Sequence, residues 1–195
     1  MNDDAENKVY FLDPDDLPTL FPTHAHSPEF WEHLGRTIAT FGFLEEVLGK
    51  AIFSFTATRP YSDEEVLEAY EEWLPKLERA LTDQLWNLVE SYGKAVKEHP
   101  ESIIEDVEAL VGMLKEATVY RNVLCHGSWR KPDEEGKSIP LFVNKKKEVF
   151  QTAIDVEFLK QVQSHVAELA CEVINSVTQM GWQFPGANGL GKQMW

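Results

Sequence analysis

The sequence predicts a mainly α-helical protein: an antiparallel helical bundle with a small β-hairpin insert before its last helix. Four long stretches carry apolar residues at steps of three and four, the repeat of an amphipathic helix. Between residues 128 and 152 this repeat is lost, and short apolar runs alternate with polar turns. The 195 residues, 43% of them apolar, suffice for one domain with a packed core.

The chain is expected to divide into an arm, a bundle and a tail. Residues 1–26 are rich in Pro, Asp and Thr and lack a helical repeat, which predicts an extended N-terminal arm. Residues 27–180 form the helical-bundle domain, and residues 181–195, with four glycines, form an irregular tail. We expect the arm to be anchored on the bundle by its apolar residues, which are Phe11, Leu12, Leu17, Leu20 and Phe21.

The first helix has the clearest start. Ser27-Pro28-Glu29 reads as an N-cap, a proline at the first helical position and an acidic first turn. The helix should end before Arg59-Pro60, because proline disfavours a helical conformation in the residue that precedes it. Its apolar stripe contains Phe30, Leu34, Ile38, Phe41, Leu44, Leu48, Ala51, Ile52 and Phe55.

The second helix should begin at Ser62, which has Glu65 three residues later in the arrangement of a capping box. Its apolar stripe continues to Val96, and His99-Pro100 closes it. Pro75 interrupts the stripe and should kink or split the helix, because proline removes one backbone hydrogen bond.

The third and last helices flank the β insert. The third has an apolar stripe that starts at Ile103 and should finish near His126-Gly127, since glycine commonly follows a helix end. The insert, residues 128–152, has the pattern of two or three short strands with polar turns. Asp155 can cap the last helix, which continues to about residue 180.

Charge and motifs exclude several function classes. The net charge of −15 argues against a protein that coats nucleic acid non-specifically. No apolar run is long enough for a membrane helix, and the acidic start, MNDDAEN, is no secretory signal. Two isolated cysteines exclude a disulfide framework and favour the cytoplasm. No phosphate-binding glycine motif occurs, so no cofactor is expected.

One short stretch is basic on this acidic molecule. Residues 121–147 contain seven basic and three acidic side chains. Arg130, Lys131, Lys145, Lys146 and Lys147 are therefore candidates for binding an anionic substrate, and a solvated lysine-rich turn is the alternative.

His24-Ala25-His26 resembles a two-histidine metal clamp, but no third ligand can be assigned. Ordinary loop histidines are the simpler interpretation, and we predict no metal site.

Gly35, Gly42 and Gly49 are seven residues apart in the first helix and therefore share one face, the glycine face. Each glycine costs about 1 kcal/mol relative to alanine inside a helix, so the repeat indicates a close backbone approach. The approach could lie within the chain, for example against Gly112, or it could be the seam of a homodimer.

Arg121 falls on the inward stripe of the third helix, where an apolar residue is expected. A buried guanidinium needs a carboxylate, such as Glu45 or Glu46, or an anionic ligand. His126 lies about 140° around the helix from Arg121. The two can therefore cooperate only if the helix loosens at its end or a second subunit completes the site.

The residues Arg121-Asn122-Val123-Leu124-Cys125-His126 resemble the R-x4-6-H signature of the HEPN superfamily, a family of small helical bundles. The polar Asn122 directly after the arginine fits that motif. The resemblance covers residues 28–126 and 155–180 and leaves the arm, the insert and the tail unexplained.

The resemblance implies a homodimer whose two motifs meet in a cleft at the two-fold axis. Active HEPN proteins are typically metal-independent endoribonucleases of toxin–antitoxin, antiphage and RNA-processing systems, which implies an RNA substrate and a cognate antitoxin or partner protein. Arg121 and His126 would then be catalytic and Asn122 supporting. Some HEPN proteins have lost catalysis, so a scaffold that binds a protein or a nucleotide is the alternative.

Overall fold

The computed structural model describes residues 11–60, 62, 68, 70, 71, 74, 75 and 83–189. Within these residues the chain forms a mainly α-helical bundle, which confirms the predicted fold class. Its long helices are α1 (Pro28–Ala57), α2 (Leu85–Glu98), α3 (Val107–His126) and α4 (Val156–Gln179), and a short 3-10 helix spans Pro14–Asp16.

α1 is the central helix and packs mainly against α4 and α2. α3 packs on α2 and α4 and runs antiparallel to both, as the Lys97–Glu108 ion pair and the Tyr120–Phe158 ring contact indicate. α1 and α2 have the same direction, because Arg59 at the end of α1 pairs with Glu98 at the end of α2. The apolar stripes of the four helices meet in one core that includes Phe41, Leu44, Val89, Leu114 and Val173.

Several predicted helix ends are confirmed. Ser27 caps α1 by accepting a hydrogen bond from the backbone of Phe30, with Pro28 at the first helical position. α1 ends at Ala57, before Arg59-Pro60. Asp155 caps α4 by accepting from the backbone of Phe158.

The second helix is shorter than its apolar stripe predicts. Asp83 and Gln84 are not helical, and a new helix, α2, begins at Leu85. The Asp83 side chain accepts a hydrogen bond from the side-chain amide of Asn87 in the first turn of α2. Pro75 itself is helical, but most of the chain around it lies outside the described residues, as does the expected kink.

The third helix begins later than predicted. Ile103 lies before α3 and is exposed, because Ser102 accepts a hydrogen bond from the backbone of Ile104 and forms a turn instead. The helix ends at His126 with Gly127 at the C-cap, as the sequence predicts.

The predicted β-hairpin insert is wrong. The described residues between α3 and α4 contain three isolated antiparallel bridges, Ser128–Leu141, Ser138–Ile154 and Val143–Val149, and no strand. Pro140 lies inside the apolar run of residues 139–143, one of the short strands expected in the insert, and it has no N–H to extend a ladder. The insert is therefore an irregular connection that is held at three points.

The N-terminal arm is not anchored by the residues that were expected to hold it, and the tail packs on the bundle. Phe11, Leu12, Leu20 and Phe21 are exposed and do not anchor the arm, and Leu17 is partly buried. The arm is held instead by His26, which is buried, and by the Trp31 indole, which donates to the carbonyl of Thr23. In the tail, Trp182 contacts the rings of Phe55 and His99, and Phe184 is buried.

Candidate functional site

Arg121 forms an ion pair with a carboxylate. This was one of the two alternatives that the sequence left open, the other being an anionic ligand. Its Nη2 lies 3.3 Å from Oε1 of Glu45 on α1, and the two side chains are 26% and 28% exposed. That Glu45 oxygen is itself buried and accepts no hydrogen bond from a described residue. Glu46, the other candidate, is more exposed and pairs with Lys50 at 2.6 Å. The arginine is therefore paired at the edge of the core with part of its guanidinium accessible to solvent.

His126 and Asn122 lie on the exposed surface of α3. The helix stays regular to its end, because the N–H of Gly127 donates to the carbonyl of Val123 at 2.8 Å. The loosening that would turn His126 toward Arg121 is therefore absent. Within one chain, the structure brings Asn122 and His126 to one face and leaves Arg121 on another, turned toward α1.

Cys125 does not behave as expected either. The sequence favours a small buried apolar residue at this position, but the thiol is exposed beside His126. Adjacent residues on a helix are about 100° apart, so this exposure does not create a cysteine–histidine pair.

The glycine face is open on the part of the chain that the structure describes. A Cβ added at Gly35 or Gly42 would meet no atom within 4 Å, and Gly112 is equally open. The alternative of a close contact between Gly112 and the glycine face within one chain is therefore wrong for Gly35 and Gly42. Gly49 is partly buried. Glu45 is three residues beyond Gly42, about 60° around the helix, so the open face borders the Arg121–Glu45 pair.

The five basic candidates are all exposed. Arg130 and Lys131 follow closely after His126, and Lys145, Lys146 and Lys147 form the lysine turn. None of the lysine turn's side chains forms an ion pair with a described residue. Asn144 holds the turn by accepting backbone hydrogen bonds from Lys146 and Glu148. The Ser128–Leu141 bridge returns this connection to the end of α3, and the extended distance from Leu141 to Lys145 is about 13 Å.

The sequence did not predict a buried cluster that fixes the chain just after residues 121–126. The Nε2 atom of His26 lies 2.8 Å from Oγ of Ser138, and the ring stacks on Phe30 at 4.2 Å. Trp31 and Trp129 contact the same ring by their edges. Burial lowers the pKa of His26. The only sequence signal was the His-Ala-His string, and it was considered for metal binding.

The two-histidine clamp is not formed. His26 is directed to Ser138, whereas the ring of His24 lies 5.8 Å from that of Phe21 at the surface. Among the described residues, no group of three or more His, Cys, Asp or Glu side chains is placed to hold a metal ion.

Comparison of the chain with protein-family models, with curated proteins and with solved structures found no match. None of the described helices has the uninterrupted apolar length needed to cross a bilayer. A function must therefore be argued from the side chains and their geometry.

Proposed function

We propose that this chain is a HEPN-type, metal-independent endoribonuclease that acts in the cytoplasm as a homodimer, in defence or in a toxin–antitoxin system. The observation that carries the proposal is the regular end of α3. It presents Asn122 and His126 to solvent and keeps Arg121 at the edge of α1. A proton-transfer group and an anion-binding group are both accessible, but one chain does not bring them together.

A second copy completes the site in this proposal. The glycine face of α1 is open and permits close backbone packing against its own symmetry mate. When a two-fold axis between the helices relates two antiparallel copies of α1, the same flank of each helix lies on the same side of the seam. The two Glu45–Arg121 pairs then come together along one edge of the seam. Because α3 rises about 7.5 Å from Arg121 to His126, each histidine lies near that edge.

The proposed reaction is cleavage of RNA by its own 2′-hydroxyl group. The 2′-oxygen attacks the adjacent phosphorus, the bond to the 5′-oxygen breaks, and a 2′,3′-cyclic phosphate and a 5′-hydroxyl remain. His126 transfers the protons, a role that suits imidazole near neutral pH. Arg121 stabilises the negative charge on the phosphorane oxygens through its planar N–H groups, and Asn122 supports a phosphate oxygen or His126.

The basic side chains on the connection between α3 and α4 would bind the substrate. Arg130 and Lys131 are close in sequence to His126, and the lysine turn adds three exposed cations that form no ion pair with the described residues. Cations at these positions would neutralise phosphates on an otherwise acidic surface, so binding should weaken steeply with salt. The remaining acidic surface would restrict RNA to this side of the molecule.

The test is RNA cleavage in excess chelator by wild type, Arg121→Ala and His126→Ala, with His165→Ala as an exposed histidine control on α4. We expect cyclic-phosphate ends from wild type and from the control, and about 100-fold less product from the two site variants. Equal activity in all four proteins would assign the cleavage to a contaminant or to another site.

Mixing the two inactive variants tests whether the site is shared. If Arg121 of one copy acts with His126 of the partner subunit, a mixed dimer of Arg121→Ala and His126→Ala chains has one intact site. About a quarter of the wild-type activity should return after random exchange of subunits. No recovery in demonstrated mixed dimers would show that each site uses one chain only.

The second candidate is a non-catalytic dimer that binds a protein or a nucleotide in the same cleft. It is favoured by the Arg121–Glu45 pair, because the carboxylate already neutralises the arginine. Folded protein that dimerises and binds RNA or a nucleotide without any cleavage would support this alternative.

A further inference from the structure

Four aliphatic side chains form an exposed row on the connection between α3 and α4. They are between 44% and 54% exposed, and we call them the aliphatic row: Ile139, Leu141, Val143 and Val149. Neighbouring apolar residues face the other way, since Pro140 is buried and Phe142 and Phe150 pack against the core. The connection is therefore two-sided, and its outer side is apolar.

The row is held in place by backbone bonds. Val143 and Val149 are bridged, and Phe150 donates its N–H to the carbonyl of Phe142 at 3.0 Å. Leu141 is bridged to Ser128, two residues after His126. Single exposed aliphatic residues need no explanation, but an ordered group on one side of a connection is typical of an interaction surface.

The charges beside the row select its partner. The lysine turn joins Val143 to Val149, and its three ammonium groups have no carboxylate partner among the described residues. Cations at the border of an apolar surface complement carboxylates at the border of a partner's apolar surface. RNA bases would instead require aromatic side chains on which to stack, and the row has none.

We propose that the aliphatic row and the lysine turn form a docking surface for an acidic partner protein, which binds through a segment of aliphatic residues flanked by carboxylates. Because Leu141 lies beside the end of α3, the bound segment covers the approach to His126. The docking surface stands on its own geometry. Only its effect on cleavage, a loss of RNA access, rests on the proposed function.

A selection experiment tests the partner's chemistry. Random peptides displayed on phage are selected on the full-length wild-type protein and counter-selected on the double variant Leu141→Asn/Val143→Asn. We expect the selected peptides to be acidic and to contain aliphatic residues. As synthetic peptides they should bind wild type about ten-fold or more tightly than the double variant, measured by fluorescence anisotropy.

Two further variants test whether peptide binding depends specifically on the aliphatic row and on the lysine turn. Val119→Asn changes an exposed aliphatic residue on α3, outside the row, and should leave peptide binding unchanged. Lys145→Glu/Lys147→Glu retains the row but reverses two of the charges beside it. This variant should bind the acidic peptides more weakly, and its affinity should no longer depend on salt concentration. Both row residues are about half exposed, so all variants should retain the wild-type thermal unfolding midpoint.

Four outcomes would overturn the proposal. The first is a selection that yields only basic peptides, and the second is peptides that bind the row variant as tightly as wild type. The third is a row variant that loses binding to anionic vesicles and not to peptides, which would assign the row to a membrane. The fourth is a row variant that becomes monomeric while wild type is a dimer, which would assign the row to a second copy of the chain. Because the readout is binding, failure of the proposed nuclease would leave the result unaffected.

Discussion

The guanidinium of Arg121 lies 3.3 Å from the Oε1 atom of Glu45, and this contact joins α3 to α1 at the border of the open glycine face. Both groups are about a quarter exposed, so neither is sealed in the core. In the proposed nuclease, a substrate phosphate would contact the remaining N–H groups of the arginine while the carboxylate still holds it. The same carboxylate reduces the positive charge that the phosphate meets.

The first prediction is that Glu45→Gln strengthens RNA binding. Glutamine keeps an oxygen that can accept from Arg121 but removes the negative charge, so the arginine attracts a phosphate more strongly. We expect the Kd for RNA to fall about three- to ten-fold, on the order of 1 kcal/mol for a charge at this distance near the surface. The measurement is anisotropy with a 2′-O-methyl RNA, which has no free 2′-hydroxyl and cannot be cleaved.

Glu46→Gln is the matched control. It removes the same charge from the adjacent residue, which pairs with Lys50 and not with Arg121. A smaller change is expected there, because the effect should depend on contact with the arginine and not on net charge. Equal tightening by both variants would mean that RNA does not contact Arg121.

The second prediction concerns a buried hydrogen bond between α2 and α4. The hydroxyl of Tyr92 donates to Oγ of Ser176 at 2.8 Å, and the serine donates to the carbonyl of Val173. Burial raises the pKa of Tyr92 to about 12, so the hydroxyl remains protonated as a donor at neutral pH. Tyr92→Phe should cost about 1 kcal/mol, because Ser176 keeps its other bond. Ser176→Ala should cost more, about 1–3 kcal/mol, because the tyrosine hydroxyl is then buried without its partner.

Chemical denaturation of the two single variants and the double variant measures this difference. The double variant should be more stable than the sum of the two single losses predicts, since it contains no orphaned hydroxyl. Additive losses, or a larger loss for Tyr92→Phe than for Ser176→Ala, would contradict the bonding pattern.

The starts of α1 and α4 and the ends of α1 and α3 followed from the sequence because they depend on local chemistry, whereas the starts of α2 and α3 did not. Ser27 and Asp155 are caps by virtue of their own side-chain oxygens, and Pro28 has the backbone angle that a first turn needs. The β insert was wrong because its apolar pattern satisfied a strand while Pro140 prevented the ladder. An alternating apolar pattern indicates which side of the backbone is buried. It does not indicate whether the backbone forms the hydrogen bonds of a strand ladder.

The candidate site was predicted only in part, because it depends on contacts between distant segments. The inward position of Arg121 and its need for Glu45 or Glu46 followed from helical spacing, but the choice of Glu45 depends on how α1 and α3 cross. The bond between His26 and Ser138 joins residues 112 positions apart, and no local rule could have found it. The exposure of Cys125 was likewise decided by where α3 meets solvent.

The third prediction is a loss of stability on mild acidification that originates at His26. Burial lowers the pKa of this histidine below its ordinary value of 6.5, so the unfolded chain binds a proton that the folded chain resists. Stability should therefore fall as the pH decreases from about 7.5 to 5.5, with a contribution of at most about 1.4 kcal/mol per pH unit from one group. Glu135, Asp155 and Glu157 line the pocket beside His26, and their negative charges act against this shift.

Comparison with His26→Gln isolates this contribution. Urea unfolding at several pH values is followed by tryptophan fluorescence, to which Trp31 and Trp129 beside the histidine contribute. The dependence on pH should be shallower in His26→Gln than in wild type, whereas His24→Gln at the surface should retain it. A dependence unchanged by His26→Gln would place its origin in other groups.

The fourth prediction separates folding from association at the glycine face. Gly42→Leu adds a side chain where the single chain has open space, so the helix should gain about 1 kcal/mol from the higher helix propensity of leucine. The same side chain would prevent two α1 helices from approaching closely. We therefore expect a variant that is more resistant to urea at low protein concentration, yet monomeric on a sizing column with light scattering where wild type is a dimer.

Gly112→Leu makes the same substitution at another open helical glycine, on α3, and should raise helix stability without changing the oligomeric state. A dimer that persists in Gly42→Leu, or a wild type that is monomeric at every accessible concentration, would remove the proposed seam. The proposed shared site would then be ruled out as well, because α3 stays regular to His126 and turns that residue away from Arg121 in each chain. The oligomeric state of this one variant therefore bears directly on whether the arginine and the histidine can act on the same phosphate.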